Sequence, residues 1–299
     1  MRSKVLILPS TEDSVYSQIL EIANFFPQPF NKKWKKIAIK LNVCSIKVPE
    51  TGATSHPAVV EALLRVLREK CGQNTEINLV ESDATFNRDA TVAFKLLGYK
   101  SLAEKYGANC VNLSKDAVVE KEIDGYLLKK VNVPQTLVDS DFFISVPKLK
   151  THHVEKITCG LKNQFGCHRV KYKKQFHDRL DEAIVDANLF SKPDFVIVDG
   201  ILGMGAAGTF FGLTKRFNLL IASDDLVAAD CVCAKILGFN PYFVGHIRKA
   251  ANKQLGSMKY DVFGVKPEAI KVKSDFDKTA FYFEKFYSLP ARFLRALKR

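Results

Sequence analysis

Lysines crowd one short stretch of this chain in a pattern suited to anion chemistry. VPKLKTHH (residues 146–153) continues directly from an apolar run of strand length, DFFISVP. On an extended backbone Lys148, Lys150 and His152 share one face. Two ammonium groups held that close repel each other. Either one gives up its proton and becomes a base, or both clamp an anion. His152 adds a group that titrates near neutrality. A few residues on, CGLKNQFGCH (159–168) offers Lys162 and Asn163 as donors to phosphate or carboxylate oxygens.

Three further segments follow apolar runs and carry unusual residues. PETGATSHP (49–57) is a glycine-containing turn leading into a helix start, where free amides and the positive helix end favour an anion. Thr51, Gly52, Thr54 and Ser55 are its candidate contacts, yet it is neither G-x-G-x-x-G nor a Walker loop. VDGILGMGAAGTFFG (198–212) closes a buried strand with Asp199 and then supplies five glycines, which permit close approach to a ligand or a crossover loop. ASDD (222–225) reads first as a helix cap at Ser223, with Asp224 as a candidate ligand contact. Glu81, beside Asp83, ends another strand, where an acid can accept sugar hydroxyls. Cys159, Cys167, His152, His153 and His168 raise the question of a metal, but their spacing matches no common zinc pattern, and no metal is expected. His177 reads as an ordinary histidine on the next helix.

These segments need a scaffold that brings them to one edge. Strand-length apolar runs at 36–43, 76–81, 109–113, 141–147, 194–199 and 217–223 alternate with helical patterns near 55–72, 86–106, 175–190, 225–237 and 241–255. Thr54 or Ser55 is the expected cap of the 55–72 helix, Pro57 suits its first turn, and Gly72 its end. VEKEIDGYLLKKVNV reads as a hairpin turning at Asp-Gly, and short strands follow near 261–273. This alternation predicts an α/β fold: a doubly wound, mostly parallel sheet with helices on both faces, open to two lobes around a cleft. Ligands of such sheets bind at the carboxyl ends of strands, where the segments above fall. We expect one domain over 1–274 and an aromatic-basic tail over 275–299.

Composition sets outer bounds. The 299 residues are 47% hydrophobic and 26% charged, which suits a packed globular chain. Net charge is +13, so anionic partners are favoured: metabolites, nucleic acid or an acidic surface. The excess is concentrated, with nine Lys/Arg against Glu155 and Asp178 over 148–179. Seven cysteines, an odd number without C-x-x-C, argue for a reducing compartment and against an iron–sulfur cluster held by this chain. No run is long enough to span a bilayer, and the N-terminal apolar stretch is too short for a secretory signal, so a cytoplasmic protein is expected.

PETGATSHPAVV, VPKLKTH, LKNQFG, DGILGMGAAG, SDDLVAADCVCAKILG and HIRKA occur in that order. Together they resemble the family called domain of unknown function 362, over about residues 36–256. The resemblance implies an α/β architecture distantly similar to that of lactate racemase, and a site at the segments above. Many members are fused to a ferredoxin-like module, which implies redox chemistry for them; this chain has no such cysteine run.

Three functions follow. The first is an enzyme on a small anionic metabolite. In it Lys148 and Lys150 hold charge, His152 or a lysine moves a proton, Asp199 orients them, and backbone amides of residues 52–55 bind phosphate or carboxylate. The second is a redox component served by a separate iron–sulfur or flavin protein. The third, a nucleic-acid or acidic-surface binder, rests on charge alone and lacks a recognised motif. No cofactor is identified. The tail (FDKTAFYFEKFYSLPARFLRALKR) reads as an aromatic flap packed on the domain or across a homodimer, with peripheral membrane contact through 276–299 as the sharper alternative.

Overall fold

A computed structural model describes residues 2–84, 89–152, 154–168, 173–205 and 212–270, with the backbone alone at Lys173, Lys174 and His177. The aromatic-basic tail and the side chains of His153 and His177 lie outside that description. Twelve strands are present among the described residues: β1 (Ser3–Pro9), β2 (Lys36–Leu41), β3 (Glu76–Glu81), β4 (Asn109–Asn112), β5 (Val118–Glu122), β6 (Lys130–Pro134), β7 (Phe142–Val146), β8 (Lys148–His152), β9 (Lys156–Thr158), β10 (Phe195–Met204), β11 (Thr214–Ser223) and β12 (Tyr260–Gly264). The helices are α1 (Val15–Phe25), α2 (Pro27–Phe30), α3 (Pro57–Cys71), α4 (Ala90–Leu96), α5 (Tyr99–Lys105), α6 (Gln135–Val138), α7 (Gly160–Gln164), α8 (Leu180–Ser191), α9 (Leu226–Ile236) and α10 (Gly245–Asn252).

The main sheet runs β12-β1-β11-β10-β7-β2-β3-β4, with β8 beside β10 and β9 beside β8. Its middle, from β10 through β7, β2 and β3 to β4, is parallel. Alternation decides the two faces. In β10, Phe195 and Ile197 join the core under α1, α2 and α3, while Val196 and Val198 join the core under α8, α9 and α10. β1 and β11 divide in the same way: Leu6 and Leu220 face one layer, Val5 and Ile221 the other. Strands covered on both faces are apolar almost throughout, as in FFISV of β7, where every residue is buried. The expected α/β sheet with helices on both faces is what the chain forms.

Local departures have local causes. β10 and β11 are longer than their apolar runs and pair antiparallel, so Gly200 and Gly203 of the glycine-rich segment lie within a paired strand. The N-terminal apolar stretch, read only for its shortness, is a buried strand between β11 and β12. The helical segments expected over 86–106 include α4 and α5, parted at Gly98, which takes φ +80, a left-handed geometry in which a helix cannot continue. The cap of α3 is His56 rather than Thr54 or Ser55: its Nδ1 accepts the Ala58 amide at 3.2 Å. The β5–β6 hairpin forms, but its connection curls around Asp186 of α8, which accepts the amides of Tyr126, Leu127 and Leu128 at 2.6–2.9 Å.

Candidate functional site

Pro147 divides what would otherwise be one long strand into β7 and β8. Proline has no N–H to give the ladder, so the pairing shifts there. β10 follows both halves: Phe195 lies opposite Ile144, and Asp199 opposite Lys148. β8 therefore carries its lysines along β10, beyond the last residue of β7. The 42–56 segment folds over that edge and is fastened to it. Ser55 Oγ donates to Val146 O at 2.8 Å and accepts the Asn42 amide at 2.9 Å, while Tyr99 OH donates to Ser55 O. Gly52 takes φ +72, and a Cβ there would overlap the Gly203 carbonyl oxygen; a Cβ on Gly203 would in turn overlap Leu149 O. The glycines at 52 and 203 thus let three backbone segments stack in contact.

Three lysines converge under this fold-over. Lys148 Nζ lies 2.8 Å from Asp199 Oδ2, both side chains wholly buried. Burial pushes the Lys148 ammonium below its ordinary pKa, and Asp199 opposes that shift without cancelling it. Asp199 also accepts the His56 amide at 2.6 Å and the Ile201 amide at 3.1 Å. Lys150, equally buried, donates to Ala53 O at 2.7 Å and reaches Cys44 Sγ at 3.5 Å. No carboxylate among the described residues stands within ion-pair distance of Lys150. Lys162, from α7, is half-buried and lowered by burial, with Glu155 and Cys44 favouring its charge and Lys150 opposing it. Lys150, Asp199 and the Gly52 turn, far apart in sequence, meet at one edge of one sheet.

Other candidates are spent internally. Ser55, Thr54 and Thr51 hold the turn together: Thr54 Oγ1 donates to Lys47 O at 3.2 Å, and Thr51 Oγ1 to Val48 O at 2.6 Å. The backbone cradle expected at 52–55 is largely consumed, which corrects that reading. Gly52 N–H donates to Pro49 O, Ala53 N–H to Thr51 Oγ1, and Ser55 N–H to Asn42 O. A tight turn satisfies its own amides when it packs against protein. Glu81 forms a buried ion pair with Lys40 at 2.6 Å and accepts the Val43 and Ser82 amides. Asn163 links Asn42 to Ser145, within the same polar layer. His152 is half-buried, and its Nδ1 accepts the amides of Val154 and Glu155 at 3.2 Å. The lone-pair nitrogen of neutral His152 is therefore committed to the β8–β9 turn. Asp224 lies at the far end of the sheet: β11 runs antiparallel, so its last residue, Ser223, pairs with Val196 near the start of β10.

Three residues not singled out from sequence join the cluster. Cys44 directly follows the strand expected over 36–43, which could have marked it. His56, inside the SHP cap, is half-buried, and burial holds its pKa below the ordinary value against the pull of Asp199. Glu155 is buried and electrostatically coupled to Lys162.

Comparison with known proteins places the chain in a family. A family model described as Domain of unknown function (DUF362) matches residues 37–235, well over half of the chain and inclusive of every lysine above. The chain is 27% identical over 234 residues to the thylakoid-associated protein sll1697 of Synechocystis sp., covering 76% of this chain and 70% of that protein. Among solved structures it is similar to the lactate racemase apoprotein of Thermoanaerobacterium thermosaccharolyticum, at 12% identity and a TM-score of 0.42. That alignment covers 78% of this chain and 57% of the racemase, so this chain spans little more than half of its length.

Proposed function

This chain belongs to the family of domain of unknown function 362, and from that premise we propose that it is an enzyme acting on a small carboxylate- or phosphate-bearing metabolite. The reading rests on Lys150: an ammonium wholly buried, whose partners are a carbonyl and a thiol rather than a carboxylate. A charge removed from water is costly unless it is paired. With Lys148 and Lys162 beside it and Asp199 as the acid held against Lys148, the cluster carries excess positive charge that a bound anion would offset. Cys44, His152 and Lys162 are its partly exposed fringe, and the anion would be received there. Lys150 and Lys162 supply attraction, and Asp199 fixes Lys148. Burial lowers the pKa of Lys148 and Lys162 and so favours a lysine as the group that moves a proton, whereas Nδ1 of His152 is taken by the Val154 and Glu155 amides. Abstraction of a proton beside a carboxylate fits this set, because the ammonium groups stabilise the charge that develops.

The seven cysteines are all free, which supports a reducing, cytoplasmic setting. No helix among the described residues is long and apolar enough to cross a membrane. Thylakoid association is a property of the Synechocystis protein, and attachment of this chain to a membrane would need another device.

The test is ligand binding. Native mass spectrometry of the purified chain, followed by calorimetry with short carboxylates and phosphomonoesters, should find an anion that binds with micromolar affinity. Lys150→Gln should weaken it at least tenfold with folding intact. Equal affinity in the variant would defeat the assignment.

A further inference from the structure

A second buried cluster lies next to the lysines and shares only Glu155 with them, through its electrostatic pull on Lys162. Glu155 comes from the β8–β9 turn, Asp181 from the first turn of α8, and His246 from the first turn of α10. Their ligand atoms all lie within 4.8 Å of one another. His246 Nδ1 is 3.1 Å from Glu155 Oε2 and 3.6 Å from Asp181 Oδ1. With bonds of about 2.0–2.2 Å to a first-row ion, neighbouring ligand atoms sit about 3.0–3.5 Å apart, so one cation could touch all three after small adjustments.

Two details argue that the cluster is more than a chance ion pair. Gly245 admits the Asp181 carboxylate to the start of α10; a Cβ there would overlap Asp181 Oδ2. His246 is wholly buried, and its Nε2 has no hydrogen-bond partner, so the ring's polar engagement is with the two carboxylates.

We propose that Glu155, Asp181 and His246 bind a first-row divalent cation that ties the 154–155 turn to the starts of α8 and α10. One nitrogen and two carboxylate oxygens suit zinc or manganese and leave further positions for water. Asp181, whose side chain is 33% exposed, marks the route of entry. The ion would fix the turn that orients His152 and follows Lys150, so its role is positional. None of the cysteines and histidines first weighed for metal takes part.

The other charged groups around the cluster are Asp230 of α9, Lys249 of α10 and Lys162 of α7. Lys249 is turned to Glu182 at 3.0 Å.

The test uses the full chain, stripped with chelator and titrated with Zn²⁺ by calorimetry. One saturable site per chain is expected, with micromolar or tighter affinity. Asp181→Asn and His246→Gln should each weaken binding at least tenfold. A Cys159→Ser/Cys233→Ser variant should leave it unchanged, which tells this site from the second buried cluster of metal-type groups, Cys159, Asp230 and Cys233. If His246→Gln does not fold, Asp181→Asn decides alone, since that side chain reaches solvent. Absence of saturable binding, full affinity in Asp181→Asn, or loss of binding in the cysteine variant would each overturn the proposal. None of these outcomes bears on anion binding at Lys150.

Discussion

Removing the Asp199 carboxylate should be among the most damaging single changes this fold can suffer. The carboxylate and the Lys148 ammonium are both wholly buried, at 2.8 Å. Asp199→Ala strands that ammonium, which costs about 3–5 kcal/mol when one partner of a buried pair is lost. It also orphans the amides of His56 and Ile201, adding about 1–3 kcal/mol. At about 2–4 °C per kcal/mol for a domain of this size, the melting temperature should fall by about 10 °C or more. Removing both charges while keeping an acceptor, with Lys148→Met and Asp199→Asn together, should cost under about 2 kcal/mol, since no unpaired charge remains. Urea unfolding of wild type, the single variants and the double variant measures the coupling directly. A loss below about 1 kcal/mol in Asp199→Ala, the scale of an exposed pair, would refute the buried-pair reasoning. So would a double variant whose loss equals the sum of the singles.

Gly52→Ala should destabilise by about 1–3 kcal/mol and loosen the 49–56 turn, because φ is +72 and the new methyl would overlap the Gly203 carbonyl; amide exchange at Ser55 and His56 should accelerate, and unchanged exchange would contradict the stacking. The folded-state pKa of His246, about 9, lies above its ordinary 6.5. Its contribution is thus complete below about pH 6.5 and is lost as pH rises through 9, by at most about 3 kcal/mol. Urea midpoints at pH 6, 7.5 and 9 should show that decline in wild type and a flatter profile in His246→Gln. Brief alkylation of the native chain should label Cys44 first. The other half-buried thiol, Cys110, is pushed up to about 11 by burial, and the remaining five are buried. Peptide mapping that finds Cys159 or Cys233 labelled before Cys44 would be incompatible with this packing.

The sheet was readable because its strands announce themselves: INLV of β3 and FFISV are buried on both faces, as central strands need to be. The site was readable in part for a similar reason, since Lys148, Lys150 and Asp199 follow apolar runs directly. What could not be read was direction. Nothing in FNLLIAS says that β11 runs antiparallel to β10, and that reversal sends Asp224 to the opposite edge. Nor could composition tell a polar group offered to a ligand from one consumed within the protein. Glu81 and Asn163 look like ligand contacts until Lys40 and Ser145, distant in sequence, are found against them. Glu155, Asp181 and His246 are separated by long stretches of chain, and only the folded arrangement of α8 and α10 brings them together.

Where Gly203 meets Gly52 and Leu149, main chain lies on main chain, with the Phe217 ring beside it. Side chains can swing to admit a guest, but a stack of peptide planes can only travel whole. Access to Lys150 would therefore come as a hinge motion of the 49–56 turn and the lysine strand together with Gly203 of β10 as one unit. Substitutions that alter the rate of that motion would lie at the ends of these segments, away from the charged groups themselves.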